Sequence, residues 1–374
     1  MKINNFEIEP FLREYWQKKP TVVRKAFSDP FWLEPDDLAG LSLEESVESR
    51  IITQEKNHWK VEHGPFDDAL YSNLPKSDWT LLVQAVDQWV PEIKEILDSF
   101  SFLPSWRLDD IMVSYAPVGG TVSQHFDFFD VFLIQGVGRR KWQVGAMCSS
   151  ESELLPDIAV KILKDFTPEL EFTLEPGDML YIPAKYSHSG ISVEDSMTYS
   201  VGFRAPSVRD VVDGIATKAL ETLTDDERYR DNTESLGGPR GEISVATIDA
   251  IQEILTKGIC DKSLVASWLG QYLTEPKYPE LELIQEDIGT WQDRLRAGEP
   301  LYRNPASRFA YIKDKSCILF VDGQSYEVEI ALARQLSDTQ HIDNKIVLAL
   351  IEKPVGRAVV QELLQNGSLT FLPT

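Results

Sequence analysis

The first hundred residues carry apolar side chains at helical spacing. The clearest case lies near 79–90, where five large apolar residues recur three or four positions apart or side by side: Trp79, Leu82, Val83, Val86 and Trp89. This spacing predicts an amphipathic helix whose tryptophans belong to the core. Pro91 follows and is expected to end that helix. The pattern therefore favours a mostly helical N-terminal segment with connecting loops.

Between about 106 and 205 the pattern changes to short apolar runs, rich in β-branched and aromatic residues and bounded by Gly, Pro or Asp. The runs are DIMVSYAP, FDVFLIQGVG, RKWQVGA, LEFTLEPGD, MLYIPA and MTYSVGFRA. Runs of this length and composition predict strands. Several short strands in succession are typical of a sandwich or barrel, and they argue against a parallel α/β sheet.

Helical spacing returns after Pro206. One apolar stripe predicts the first helix: Val208, Val211, Val212, Ile215, Ala219 and Leu223. The polar stretch 225–242 is expected to be a loop, Ser244 to cap a second helix that stops at Gly258, and a third helix to cover about 262–273. These helices have little core of their own, so we expect them to pack on another surface, such as a second copy of the chain.

A small mixed module is predicted from about 300 onwards. It has a hairpin with Asp322 and Gly323 at its turn (ILFVDGQSYEV), two helical stretches and a final strand near LTFLP. Helices followed by a strand pair are typical of a winged helix. Its acidic and neutral character favours a docking role over DNA binding. The predicted domains are thus 1–206, 207–275 and 276–374.

Composition narrows the possible partners. The 374 residues include 37 Lys and Arg against 60 Asp and Glu, a net charge of −23. Such a chain repels nucleic acids and anionic membranes and suits a basic partner. No apolar run is long enough for a signal peptide or a membrane span. The cysteines Cys148, Cys260 and Cys317 are few and far apart, which excludes a CxxC zinc site and predicts a cytoplasmic protein.

The five histidines fall into two groups. His58, His63 and His341 stand in polar segments and are expected to be solvated. His125 is expected to start a strand on which Asp127, two positions on, shares its face. A histidine and a carboxylate so placed supply two ligands of the 2-His-1-carboxylate set that binds Fe(II) and leaves positions open. His188 follows the predicted strand MLYIPA, and we expect it to be the third ligand.

These segments resemble a known family. HFD, FLIQGVGRRKW, EPGDMLYIPAKYSHSG and YSVGFRAP are similar to the JmjC/cupin-type 2-oxoglutarate oxygenases, in particular to bacterial ribosomal oxygenases that hydroxylate an arginine of a large-subunit ribosomal protein. The opening FLREYWQKKPTVVRKAF also resembles that subfamily. The resemblance implies an α+β fold: a double-stranded β-helix (jelly-roll) core with N-terminal helices, a helical dimerisation region and a C-terminal winged-helix-like module.

The resemblance also implies a site. His125, Asp127 and His188 become the catalytic iron ligands, and Arg140 becomes the residue that binds the far carboxylate of 2-oxoglutarate. Ser114 lies on a strand whose counterparts often line the cofactor pocket. Strand alternation puts Arg140 and Trp142 on one face of their strand, without saying whether that face is inward. The implied cofactors are Fe(II) and 2-oxoglutarate, with dioxygen as co-substrate.

The expected activity is hydroxylation of an arginyl residue, at the β carbon, of large-subunit ribosomal protein sixteen. A substrate arginine needs a nearby carboxylate, and Asp109, Asp110 and Asp130 are candidates among which the sequence does not choose. Two other interpretations stay open. One keeps the cofactors but performs lysine demethylation or small-molecule oxidation; the other is a non-catalytic cupin scaffold. The retained ligand set and Arg140 argue against the scaffold.

Overall fold

The computed structural model describes residues 2–28, 33–55, 58–156, 158, 160–226, 228–231, 239–339 and 341–371. Part of the expected loop 225–242 lies outside these residues. The chain forms two compact units, Met1–Ala205 and Pro206–Pro373. Within the described ranges, no helix combines the length and apolar character needed to cross a membrane.

Among its described residues, the first unit combines short helices with eleven strands. Its helices are α1 (Ile8–Glu14), α2 (Pro35–Leu41), α3 (Asp68–Asn73) and α4 (Pro91–Asp98), with 3-10 turns at Val86–Gln88 and Ser105–Arg107. Its strands are β1 (Thr21–Val23), β2 (Ser49–Glu55), β3 (His58–His63), β4 (Trp79–Val83), β5 (Leu108–Ala116), β6 (Val131–Val137), β7 (Arg140–Met147), β8 (Pro168–Leu174), β9 (Met179–Ile182), β10 (Tyr186–Ser192) and β11 (Ser196–Phe203).

The strands form two antiparallel sheets. The larger has eight strands in the order β1-β9-β6-β11-β5-β4-β2-β3, and the smaller has three in the order β10-β7-β8. Every run predicted as a strand between 106 and 205 is a strand, and the antiparallel pairing confirms the double-stranded β-helix class. The sequence did not predict β10, whose composition (YSHSGIS) is polar and small.

Alternate residues of the large sheet face two different layers. On β6, Phe132 and Ile134 join the core formed with the N-terminal helices, whereas Leu133 packs with Trp142 and Val144 of the small sheet. Both faces are therefore covered, which explains the continuous apolar runs. The large sheet also bears polar residues on the face that carries Leu133, farther along its strands.

The predicted helix at 79–90 is wrong. Residues 79–83 form β4, which pairs with β2 on one side and β5 on the other. All five of its side chains are buried. A strand covered on both faces is apolar throughout, so its residues also matched a helical spacing by coincidence. Pro91 begins α4 instead of ending a helix. The described residues among the first hundred include four strands, so the expectation of a mostly helical segment is also wrong.

The second unit starts with the predicted helices. These are α5 (Val208–Leu220), α6 (Val245–Ile259) and α7 (Lys262–Thr274). Ser207 caps α5 in a reciprocal capping box with Asp210, and the hydroxyl of Ser244 caps α6 as predicted. Capping by serine supplies an acceptor for backbone N–H groups that have no partner inside the helix.

A winged-helix-like module completes the second unit. Its elements are α8 (Trp291–Ala297), β12 (Tyr302–Arg303), β13 (Phe309–Lys313), β14 (Cys317–Val321), β15 (Gln324–Val328), α9 (Ile330–Ser337), α10 (Asn344–Leu350), α11 (Pro354–Gln365) and β16 (Leu369–Thr370). The predicted hairpin is β14–β15, and its turn residues Asp322 and Gly323 both have positive φ. In the described part of this module, three helices follow the hairpin where the sequence indicated two. The hairpin packs with these helices around one apolar core.

Candidate metal and cofactor site

The structure brings His125, Asp127 and His188 together. One possible ligand atom from each lies within 4.8 Å of the others. The Oδ2 of Asp127 is 3.9 Å from Nε2 of His125 and 3.7 Å from Nε2 of His188. Two nitrogens and one carboxylate oxygen at this spacing fit the facial ligand set of Fe(II). The Asp127 side chain is 48% exposed, so one side of the cluster is open to a substrate.

Backbone pairing places the two histidines side by side. The backbone N–H of His125 donates to the carbonyl of His188 at 3.0 Å, and the reverse bond measures 2.8 Å. His125 belongs to this isolated bridge and does not start a strand, so that part of the prediction is wrong. Asp127 lies in the loop segment that follows, where its carbonyl accepts from the backbone N–H of Lys185. A loop, and not one strand face, therefore brings the carboxylate to the imidazoles.

The ring orientations suit metal binding. Nδ1 of His125 lies 3.0 Å from the carbonyl of Ser123, and Nδ1 of His188 lies 3.0 Å from that of Tyr186. A carbonyl only accepts, so each Nδ1 carries the proton and each Nε2 keeps a free electron pair. Burial, helped by the neighbouring His125, lowers the pKa of His188. Its imidazole is therefore neutral, the form that binds a metal.

Arg140 lies deeper in the space between the sheets. It is 3% exposed, and its Nη1 donates to the hydroxyls of Ser114 at 3.1 Å and Thr198 at 3.4 Å. Its Nε is buried without a hydrogen-bond partner, and in the described part of the chain no carboxylate forms an ion pair with it. Burial lowers the pKa of Arg140 to about 10. A buried guanidinium lacking a counter-ion fits the carboxylate of a bound diacid.

Sequence reasoning placed Ser114 and Thr198 on strands that line such pockets but missed Gln135, which supports Arg140 through Thr198. The Thr198 hydroxyl donates to Oε1 of Gln135 at 3.4 Å, which leaves its lone pairs for Arg140. The Gln135 amide in turn donates to the carbonyls of Val137 and Met197. A signal was present, because Gln135 is the one polar residue of the run VFLIQGV. Ser114 contacts Arg140 and donates to the carbonyl of Thr198, so it fixes the guanidinium.

The other predicted polar residues lie elsewhere. His58, His63 and His341 are exposed, as expected. Asp110 and Asp130 are each 2% exposed, so neither is accessible to a protein substrate. Asp130 accepts from the hydroxyl of Tyr181 and pairs with Arg107, and Asp110 accepts from the amide of Gln84. Their suggested role toward a substrate arginine is therefore wrong; Asp109 is partly exposed.

Comparison with known proteins identifies two family regions. Residues 95–211 match the JmjC domain, and residues 254–370 match the ROXA-like winged helix. The chain is 34% identical over 313 residues to the ribosomal protein uL16 3-hydroxylase of Escherichia coli strain K12, covering 81% of this chain and 82% of that protein.

Solved structures agree with this similarity. The X-ray structure of Escherichia coli YcfD superposes with a TM-score of 0.90 at 30% identity, covering 99% of this chain and 100% of that one. The structure of the ribosomal oxygenase YcfD from Escherichia coli in complex with cobalt and 2-oxoglutarate superposes with a TM-score of 0.85 at 29% identity, covering 99% of each chain.

Proposed function

Because the chain belongs to the JmjC-type ribosomal oxygenases, we propose that it is an Fe(II)- and 2-oxoglutarate-dependent hydroxylase of ribosomal protein uL16. The observation that carries the proposal is the pairing of a two-histidine, one-carboxylate cluster with a buried guanidinium that has no counter-ion. The modified residue is an arginine, oxidised at its β carbon. This choice is supported by the name of the Escherichia coli relative, a 3-hydroxylase, and by the acidity of this chain, which suits a basic substrate.

Each site residue has a distinct task. His125, Asp127 and His188 hold the iron, and Arg140 binds the far carboxylate of 2-oxoglutarate. Ser114 keeps the guanidinium in place. Bound iron with 2-oxoglutarate supplies the oxidation of a C–H bond by dioxygen, with decarboxylation of the 2-oxoglutarate to succinate. The protein positions both molecules and excludes water from the inter-sheet space. A ribosomal substrate places the reaction in the cytoplasm.

The proposal is tested with ribosomal proteins from a strain that lacks this protein. They are incubated with the enzyme, Fe(II), 2-oxoglutarate and air, and succinate and product masses are measured. We expect succinate and one added oxygen on an arginine of uL16, both lost with His125→Ala. His63→Ala, an exposed histidine of β3, is the matched control and keeps full activity.

Other outcomes identify the alternatives. Formaldehyde release from a methylated lysine would mean demethylation. Succinate that forms with no mass change in any ribosomal protein would mean a small-molecule substrate. Absence of both succinate and mass change would favour the non-catalytic scaffold and overturn the proposal.

The proposal includes a homodimer formed through 207–275, with 1–206 as oxygenase domain and 276–374 as an accessory module. Helix α6 supports it, because none of its described side chains is buried although the helix is rich in isoleucine. Val245 is 72% exposed and Ile251 is 49% exposed. Exposed apolar side chains grouped on one helix mark a surface that binds another protein. Light scattering is expected to show a dimer, which Ile251→Asp dissociates and Val355→Asp, an exposed residue of α11, does not. A monomeric wild type would refute it.

The accessory module is proposed not to bind DNA. Residues 276–374 carry more acidic than basic side chains. Duplex DNA is therefore expected to give no complex in a gel-shift assay at physiological salt.

A further inference from the structure

A second buried N–H group near Arg140 has no partner. The indole Nε1 of Trp142 is buried and makes no hydrogen bond among the described residues, as is also true of Nε of Arg140. Both residues lie on β7 two positions apart, so their side chains enter the inter-sheet space from the same strand face. Two unpaired donors on one face of the site are unusual, because over nine-tenths of buried polar groups are paired.

The position of the Trp142 ring is fixed by its neighbours. Trp142 lies opposite Gly190 of β10, and a Cβ at Gly190 would come within 2.7 Å of a ring carbon. The indole therefore packs directly on the backbone of β10. Its ring centroid lies 6.1 Å from that of His188, and the guanidinium carbon of Arg140 lies 5.3 Å from the ring centroid. The indole is thus close to a proposed metal ligand and to the proposed carboxylate-binding residue.

Packing alone does not account for a tryptophan here. The apolar cluster that holds the ring contains Leu133, Val144, Leu174, Leu180 and Ile182, and Phe172, which lies opposite Trp142 on β8, packs against it. A phenylalanine would fill such a place without burying an N–H group that has lost its water. The tryptophan is therefore explained by an acceptor that arrives with a ligand.

We propose that the indole N–H of Trp142 donates a hydrogen bond to the far carboxylate of 2-oxoglutarate, beside the guanidinium of Arg140. The inference rests on the proposed function of the same site. A carboxylate has about four acceptor positions, so it can satisfy both orphaned groups at once. Trp142 is then a cofactor-binding residue that selects a dicarboxylic oxoacid over a monocarboxylic one.

The test compares two ligands in two proteins. 2-Oxoglutarate and 2-oxobutanoate, which lacks the far carboxylate, are titrated by calorimetry into the Zn(II)-loaded wild type and Trp142→Phe. The substitution removes the N–H group and keeps an aromatic ring. We expect about tenfold weaker binding of 2-oxoglutarate, the scale of one donor to a charged acceptor, and no change for 2-oxobutanoate. Trp79→Phe, which loses a structural bond to the carbonyl of Pro75, leaves both affinities unchanged.

A second readout uses the wild-type protein. The indole N–H signal of Trp142, assigned by triple-resonance experiments on the wild type, is expected to move downfield in the ¹⁵N–¹H spectrum when 2-oxoglutarate is added, and not with 2-oxobutanoate. If Trp142→Phe does not fold, this shift alone decides the matter.

The failures are distinguishable. Equal weakening of both ligands, or an unshifted indole signal in a protein that binds 2-oxoglutarate, would overturn the role of Trp142 and leave the proposed function standing. A metal-loaded wild type that binds neither ligand would overturn the proposed function itself.

Discussion

Replacing Arg140 by methionine is expected to stabilise the free protein while abolishing 2-oxoglutarate binding. Burial lowers the pKa of Arg140 from 12.5 to about 10. The folded state thus holds this proton less tightly than the unfolded state does. The resulting loss in the free energy of unfolding is fully present at any pH below about 10. At about 1.4 kcal/mol for each pKa unit, the buried charge destabilises the fold by about 3 kcal/mol at pH 7.

Removing the buried charge with Arg140→Met therefore stabilises the fold. Part of this gain is offset because two hydrogen bonds are lost, at about 1 kcal/mol each. The hydroxyls left behind stay paired, since Ser114 donates to the Thr198 carbonyl and Thr198 donates to Gln135. The net gain is therefore between about 1 and 3 kcal/mol. For a domain of this size, that raises the thermal midpoint by roughly 2–4 °C per kcal/mol.

The assay is thermal unfolding with and without Zn(II) and 2-oxoglutarate. Wild type is expected to gain stability from 2-oxoglutarate, and Arg140→Met is expected to start higher and gain nothing from it. Arg139→Met is the matched control: Arg139 forms a surface pair with Glu194, and its loss should leave both behaviours unchanged. The reasoning is refuted if Arg140→Met unfolds more readily than wild type, or if it keeps the stabilisation by 2-oxoglutarate.

Two further predictions concern residues of the oxygenase domain outside the ligand set. Burial, and then the nearby Asp110, raise the pKa of Asp87 to about 7. The folded state therefore binds this proton more tightly than the unfolded state does. As a result, the free energy of unfolding falls as pH rises from about 4 to 7. Asp87→Asn should flatten this dependence and be more stable at pH 8 by up to about 4 kcal/mol in chemical denaturation; an unchanged slope would contradict it. Gly190→Ala should cost about 1–3 kcal/mol by pressing on Trp142, whereas Gly202→Ala, with its nearest neighbour 3.6 Å away, should be tolerated; equal thermal midpoints would exclude this packing.

How far the sequence predicts this molecule depends on whether local pattern or pairing decides each element. The strands from β5 to β9 and β11 are bounded by Gly, Pro or Asp, and their runs are long enough to predict. Strand β4 was misjudged because neighbours on both sides and both faces made it uniformly apolar. Strand β10 was missed because its sequence, YSHSGIS, is mostly small and polar, so the strand has no apolar signature.

In the site, too, local sequence pattern predicts some features and strand pairing sets the others. The spacing of His125 and Asp127 suggested a metal pair on one strand, yet the two side chains meet through a bridge to His188 and the loop segment that follows it. The sequence did not determine which face of β7 points inward. The structure shows that Arg140 and Trp142 are buried, so their face is the inward one. Gln135 acts through Thr198 from a neighbouring strand, a relation set by register and invisible to spacing along the chain.

The most direct test of the central claim follows the oxygen atom. Purified uL16 is incubated with this protein, Fe(II) and 2-oxoglutarate under isotopically heavy dioxygen in ordinary water, and peptides are analysed by mass spectrometry. The account predicts one heavy oxygen on a single arginine of uL16 and one in succinate, with neither formed by Asp127→Ala. Ordinary oxygen on the arginine, or succinate labelled while every uL16 peptide keeps its mass, would contradict it.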